Sequence, residues 1–103
     1  MSKKPIDPVL IRVWKGIDSD LFALFPTLPS DVAGQYCTSY QHVGQHSSAD
    51  YALCIRNSRP ATPAEARELL RELRRIGYNP RVIRHASPSM HAARRDFYKG
   101  ATA

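Results

Sequence analysis

Apolar positions fall in short runs over the first half of the chain and recur at helical spacing over the second. Val9 to Lys15 (Val-Leu-Ile-Arg-Val-Trp-Lys) is rich in β-branched and aromatic residues, ends at Gly16 and predicts a strand. Leu21 to Phe25 predicts a second, short strand stopped by Pro26. The segment Pro26 to Asp31 has prolines at positions 26 and 29, neither with an amide proton, so it predicts a loop and not the inside of a central strand. Gln35 to Tyr40 alternates weakly and carries two tyrosines, consistent with a strand. Tyr51 to Asn57 alternates better, with Tyr51, Leu53 and Ile55 on one face, and predicts another. Residues 41–50 between them have no usable periodicity and predict a loop of about ten residues, longer than most hairpin connections.

The clearest element is a helix. Thr62-Pro63-Ala64-Glu65 supplies an N-cap, a proline at the first helical position and a glutamate placed to close a capping box. Ala66, Leu69, Leu70, Leu73 and Ile76 then form one apolar stripe, Gly77 follows as a C′ residue, and Pro80 forbids continuation. At about 100° per residue, Arg67, Arg71, Arg74 and Arg75 cluster opposite that stripe and face water. Arg81 to His85 predicts a closing strand. Residues 86–103 read as a basic tail or a short helix from about Pro88 to Lys99, with Met90, Ala93 and Phe97 on one side. The expected fold is therefore α+β: a small antiparallel-rich sheet of about five strands, order ββββαβ, with one amphipathic helix packed on one face. Residues 1–8 read as a loose lead-in and residues 9–85 as the single folded domain.

Composition narrows the class. A chain of 103 residues has room for one domain, and 43% hydrophobic with 23% charged residues is ordinary for a globular protein. No apolar run approaches the roughly 18 residues needed to span a bilayer, and the start lacks the apolar stretch of a signal peptide, so the expectation is a cytoplasmic protein without a membrane partner. Cys37 and Cys54 then read as reduced thiols. The net charge of +6 is uneven: residues 1–51 sum to −1 and residues 52–103 to +7. A basic half attracts phosphate or acidic protein surfaces, or simply forms a solvated face.

If residues 35–40 and 51–57 pair as a hairpin, one register sets Tyr40 against Tyr51 and Cys37 against Cys54. It would leave the histidines on the connecting loop. That loop gathers His42, His46 and Asp50, and three readings compete. Cys37, His42, His46 and Cys54 offer four zinc ligands at spacing Cys-x4-His-x3-His-x7-Cys, but without the close Cys-x2-Cys knuckle that makes zinc motifs specific. A histidine with Asp50 suits general acid–base work, since an unperturbed imidazole titrates near neutrality. No nucleophile elbow or phosphate-cradling glycine loop accompanies them, and no catalytic residue is assigned. In the third reading these groups bond the loop itself or contact a partner, with Tyr40, His42, Gln45, His46, Asp50 and Tyr51 as the binding set and no cofactor.

The basic half offers Arg67, Arg71, Arg74, Arg75, Arg94 and Arg95 as a surface for phosphate. The sequence signatures of the common nucleic-acid modules are missing. Glu65, Glu68 and Glu72 also interrupt the helix surface, so any nucleic-acid contact would be non-specific.

Two segments carry a resemblance: His42-Val43-Gly44-Gln45-His46 continuing to Ala49-Asp50-Tyr51, and Arg59-Pro60-Ala61-Thr62-Pro63 followed by the helix and Ile76-Gly77-Tyr78. Together they resemble short bacterial proteins carried on plasmids, phages and integrative elements, over about residues 9 to 85. The resemblance implies a cytoplasmic accessory protein and brings no activity, cofactor or catalytic residue with it. The leading expectation is a non-enzymatic binding protein of a mobile element that engages a host or defence protein. A small metal-binding or acid–base enzyme built on His42, His46 and Asp50 is the rival, and a weak nucleic-acid binder the third.

Overall fold

The structure is a computed structural model that describes residues 5–16, 20–41 and 45–99. The order among these residues is β1 (Asp7–Trp14), β2 (Leu21–Pro29), β3 (Cys37–Gln41), β4 (Gln45–Ala49), α1 (Tyr51–Arg56), β5 (Ser58–Pro60), α2 (Pro63–Arg75), β6 (Pro80–Val82) and α3 (Pro88–Arg95). The sheet runs β4-β3-β2-β1-β5, antiparallel throughout, and β6 joins β1 in parallel. The free edge of β1 is shared: Asp7–Val9 pairs with β6 and Arg12–Trp14 with β5. The α+β architecture expected from the pattern of runs is present. No described helix is long and apolar enough to cross a membrane.

Alternation along β1 and β2 divides the interior into two cores. Val9, Ile11, Ala23, Phe25 and Tyr40 face α2, where Ala66, Leu69 and Leu73 meet them. Leu10, Phe22, Leu24 and Cys37 face the other way, toward Cys54 of α1. With a cover on each face, β1 and β2 are apolar nearly without interruption, as strands buried on both sides are. Trp14 stacks on Phe22 with ring centroids 4.1 Å apart and closes one end of the second core.

Helix α2 forms as its local signals dictate. Thr62 and Glu65 complete the capping box, and Pro63 occupies the first turn. At the far end Tyr78 N–H reaches Leu73 O (3.0 Å) and Gly77 N–H reaches Arg74 O (3.2 Å), with Gly77 at φ 116°. That pair of bonds is a Schellman termination, and it needs a residue that tolerates positive φ. Ile76, expected on the buried stripe, is half exposed because it is the C-cap and no longer follows the helical path.

The segment Tyr51–Asn57 is not a strand. Asp50 caps it, accepting from Leu53 N–H at 3.2 Å, and six residues wind into α1. Residues 51, 54 and 55 are spaced for a helix as well as 51, 53 and 55 are for a strand. Helical spacing wins by burying Cys54 and leaving Leu53 50% exposed. The partner of β3 is instead β4, inside the stretch expected as loop, and Tyr40 pairs with His46 and Cys37 with Ala49. The Tyr40–Tyr51 and Cys37–Cys54 register is therefore overturned. Both cysteines are nevertheless buried free thiols in the same core. Burial pushes the Cys37 thiol up to about 11, against a smaller opposing effect of the Arg94 charge.

Nor does β2 end at Pro26. Its pairing with β1 stops at Leu24, and its register with β3 shifts between Phe25 and Pro29. Pro26 thus sits where no ladder bond requires its missing N–H. The last strand is Pro80–Val82, shorter than Arg81–His85, and is anchored by Asn79 N–H donating to the Asp7 carboxylate at 2.8 Å.

Helix α3 is the short C-terminal helix, but its buried residue is Arg94 (5% exposed), while Phe97 is 51% exposed. Arg94 is therefore not part of a basic surface. Its Nε donates to Gly34 O (2.9 Å), and its Nη1 to Pro26 O (2.8 Å) and His91 Nδ1 (2.9 Å). Gly34 has φ 73°, and a Cβ there would lie 2.5 Å from Arg94 O and 2.6 Å from Arg95 Cα, so the loop before β3 and α3 meet backbone to backbone. On the same face Arg12, 7% exposed, fastens α1 and β5 to β1 through Ser58 Oγ (2.9 Å), Ser58 O (2.8 Å) and Ile55 O (3.2 Å).

Arg94→Ala removes three bonds and leaves two carbonyls without their donor, which should destabilise the protein by about 3 kcal/mol. Thermal unfolding should show a Tm lowered by more than roughly 10 °C. A Tm within a few degrees of wild type would show that α3 does not depend on this residue.

Arginine has no acceptor, so His91 Nδ1 must accept from Arg94 and the imidazole is neutral. Burial, then Arg94 and Arg95, lowers its pKa from 6.5. The unfolded chain therefore binds the proton first, and stability is full above 6.5 and declines as pH falls below it. Denaturant titrations from pH 7.5 to 5 should show this decline in wild type and a flatter profile in His91→Gln; parallel profiles would remove His91 as the cause.

Candidate functional site

The hairpin β3–β4 carries the polar stretch that the sequence singles out, and its alternation decides which groups meet. On the α2 face Tyr40 lies opposite His46, their rings edge-on at 4.8 Å. Tyr40 is 0% exposed, yet its hydroxyl donates to the carboxylate of Glu72 on α2. His46 is exposed, and its Nε2 lies 2.9 Å from the hydroxyl of Tyr78, just past the end of α2. Tyr78 stacks in turn on Phe25 of β2, centroids 4.5 Å apart. Glu72, Tyr40, His46, Tyr78 and Phe25 thus form a continuous chain of contacts drawn from β2, β3, β4, α2 and the turn after it.

Burial and, after it, the Asp7 carboxylate raise the pKa of the Tyr78 phenol. The phenol therefore keeps a proton that it can donate to His46 Nε2, and in that arrangement the ring proton of the imidazole sits on Nδ1. One ring nitrogen is held by the protein, and the ring as a whole is exposed at the surface. Such a histidine is fixed in direction and offers an outside group a single oriented hydrogen bond. Gln45 precedes it on the same strand and is exposed.

The remaining candidates go elsewhere. Asp50 caps α1, and His46 is engaged by Tyr78, so the structure does not bring these two together as an acid–base pair. The hydroxyl of Tyr51 accepts from Ala86 N–H (2.7 Å) and its ring meets His91 at 4.6 Å, so Tyr51 ties α1 to the start of α3. Cys37 and Cys54 lie in the core on the opposite side of the sheet from His46. Among the described residues no three His, Cys, Asp or Glu side chains gather as a metal site would require. His42 lies outside the described residues.

Three members of the cluster, Phe25, Glu72 and Tyr78, are missing from the sequence-based set. Glu72 did leave a signal: it stands three residues after Leu69 and four before Ile76, a charge on the apolar side of an otherwise regular helix. Tyr78 left none, since its meeting with His46 spans 32 residues and depends on how α2 ends.

Nitrogen-detected NMR of the imidazoles should find His46 mainly as the Nδ1–H tautomer. Tyr78→Phe should shift its Nε2 resonance and return the tautomer balance toward Nε2–H. A wild-type ring already in the Nε2–H form would refute the donor role of Tyr78.

No protein-family model matches this chain, and no curated protein and no solved structure matches it either.

Proposed function

We propose that the chain is a small binding protein without a reaction of its own, an accessory protein of a bacterial mobile element that engages a host or defence protein through β4. The carrying observation is that the two edges of the sheet differ. At one end β5 has only three residues, one of them Pro60, and its Arg59 is paired with Glu65. Short length, proline and charge are what keep natural edges from pairing with other chains. At the other end β4 (Gln-His-Ser-Ser-Ala) has five residues with no charge, no proline and no register shift against β3. Its first four side chains are exposed.

An edge of this kind accepts an extended segment of another protein, main chain to main chain, while flanking side chains select the sequence. His46, aimed by Tyr78, and Gln45 are placed to do the selecting. Behind β4 the hairpin is stiffened by Ser39 Oγ, which donates to Ser47 O at 3.1 Å and lies 2.8 Å from Ser47 Oγ.

Affinity capture from bacterial lysate with wild type, Ser48→Lys and His46→Ala tests the assignment. Lysine is the residue that guards natural edges, and both substituted side chains are exposed. A specific protein retained by wild type and lost with both variants, each folded by circular dichroism, is the expected result. Capture unchanged by both substitutions would move the binding surface away from β4.

A further inference from the structure

Helix α2 turns Ala66, Leu69 and Leu73 into the core and leaves Arg67, Arg71, Arg74 and Arg75 exposed on its outer side. Sequence alone suggests that Glu65, Glu68 and Glu72 offset them. The structure removes two of the three. Arg59 clasps Glu65 with two bonds (2.9 and 2.8 Å), and Thr62 N–H adds a third at 2.9 Å. Together they pull its carboxyl down to about 2. Glu72 turns toward the sheet and holds the Tyr40 hydroxyl. Among the described residues none of the four outer arginines forms an ion pair. Arg81 of β6 and Arg84 just after it are exposed and equally unpaired, and β6 packs beside α2.

We infer that this face, Arg67, Arg71, Arg74 and Arg75 with Arg81 and Arg84, docks on the phosphate backbone of duplex nucleic acid. Every cation in the set is arginine, whose planar fork matches phosphate oxygens two at a time. Arg67, Arg71 and Arg75 lie one above another, about 6 Å apart along the helix, a row that follows a strand of charge. Single strands are held largely by aromatic stacking, and the exposed aromatics Tyr36, Phe97 and Tyr98 precede β3 or follow α3 and are not on α2. An anionic membrane is disfavoured because the apolar side of α2 is committed to the core and cannot enter lipid. This surface lies on a different element from the β4 edge and does not depend on the function proposed for it.

The test is fluorescence anisotropy with a labelled 20-base-pair DNA duplex of arbitrary sequence, across a salt series. With about four phosphates neutralised, affinity should fall about a hundredfold between 50 and 200 mM salt. Arg71→Ala with Arg75→Ala should weaken binding at least tenfold at low salt and flatten the salt slope by nearly two. Arg95→Ala with Lys99→Ala removes the same charge elsewhere and should leave the slope nearly unchanged. Equal losses from both pairs would mean diffuse attraction to a basic protein and would overturn the inference. So would tighter binding to a single strand of the same length, or phosphatidylserine vesicles retaining the protein while the duplex does not. All four positions are exposed, so the variants should keep the wild-type Tm.

Discussion

Because β1 and β2 are buried on both faces, the sheet needs two covers from a chain of 103 residues. One cover is α2, whose thirteen residues present a conventional apolar stripe. The other is assembled from two short pieces, α1 and α3, with six and eight residues. Neither has enough apolar surface to hold its place by burial alone. Each is fastened instead by a buried arginine, Arg12 for α1 and Arg94 for α3, bonded to backbone carbonyls. Tyr51 links the two pieces through Ala86 and His91. The second face is therefore held by directional polar bonds, and the one between Arg94 and His91 makes it sensitive to protonation.

Legibility in the sequence followed the range of the deciding interaction. Helix α2 was readable because its start, stripe and stop are all encoded within seventeen residues, from Thr62 to Tyr78. Strands β1 and β2 were readable from their apolar runs, though the extension of β2 through two prolines was not. That extension relies on a register shift against β3, which leaves no mark at positions 26 and 29. Helix α1 was misread because its apolar spacing fits both periods. The choice between them depends on Leu10, Phe22 and Leu24 waiting across the sheet, and on Asp50 acting as a cap. Arg94 looked like surface because an arginine in a basic tail usually is. The carbonyls of Pro26 and Gly34, sixty or more residues earlier, make its burial tolerable.

The site shows the same division. Tyr40, Gln45 and His46 were visible as a polar, aromatic stretch, and two of them do meet. Asp50 and Tyr51 were drawn to the same stretch by proximity in sequence, yet the turn into α1 sends them to separate tasks. What converts His46 from a surface histidine into an aimed one is Tyr78, and that contact exists only because α2 terminates where it does. Glu72 serves two surfaces at once: turned inward it holds Tyr40, and by turning inward it leaves Glu68 to face the outer arginines.

The carbonyl-based anchoring of Arg12 and Arg94 bears on how such a chain drifts over generations. A backbone oxygen is supplied by whatever amino acid occupies the position, so Ile55 and Pro26 offer their carbonyls regardless of side chain. Replacing either preserves the anchor provided the main chain keeps its course. Gly34 is the exception, since only a residue without a side chain lets α3 come so near. The second face is thus specified by few identities, two arginines, one glycine, Ser58 and Tyr51 above all. Lineages descended from a common ancestor could diverge widely there and still superimpose.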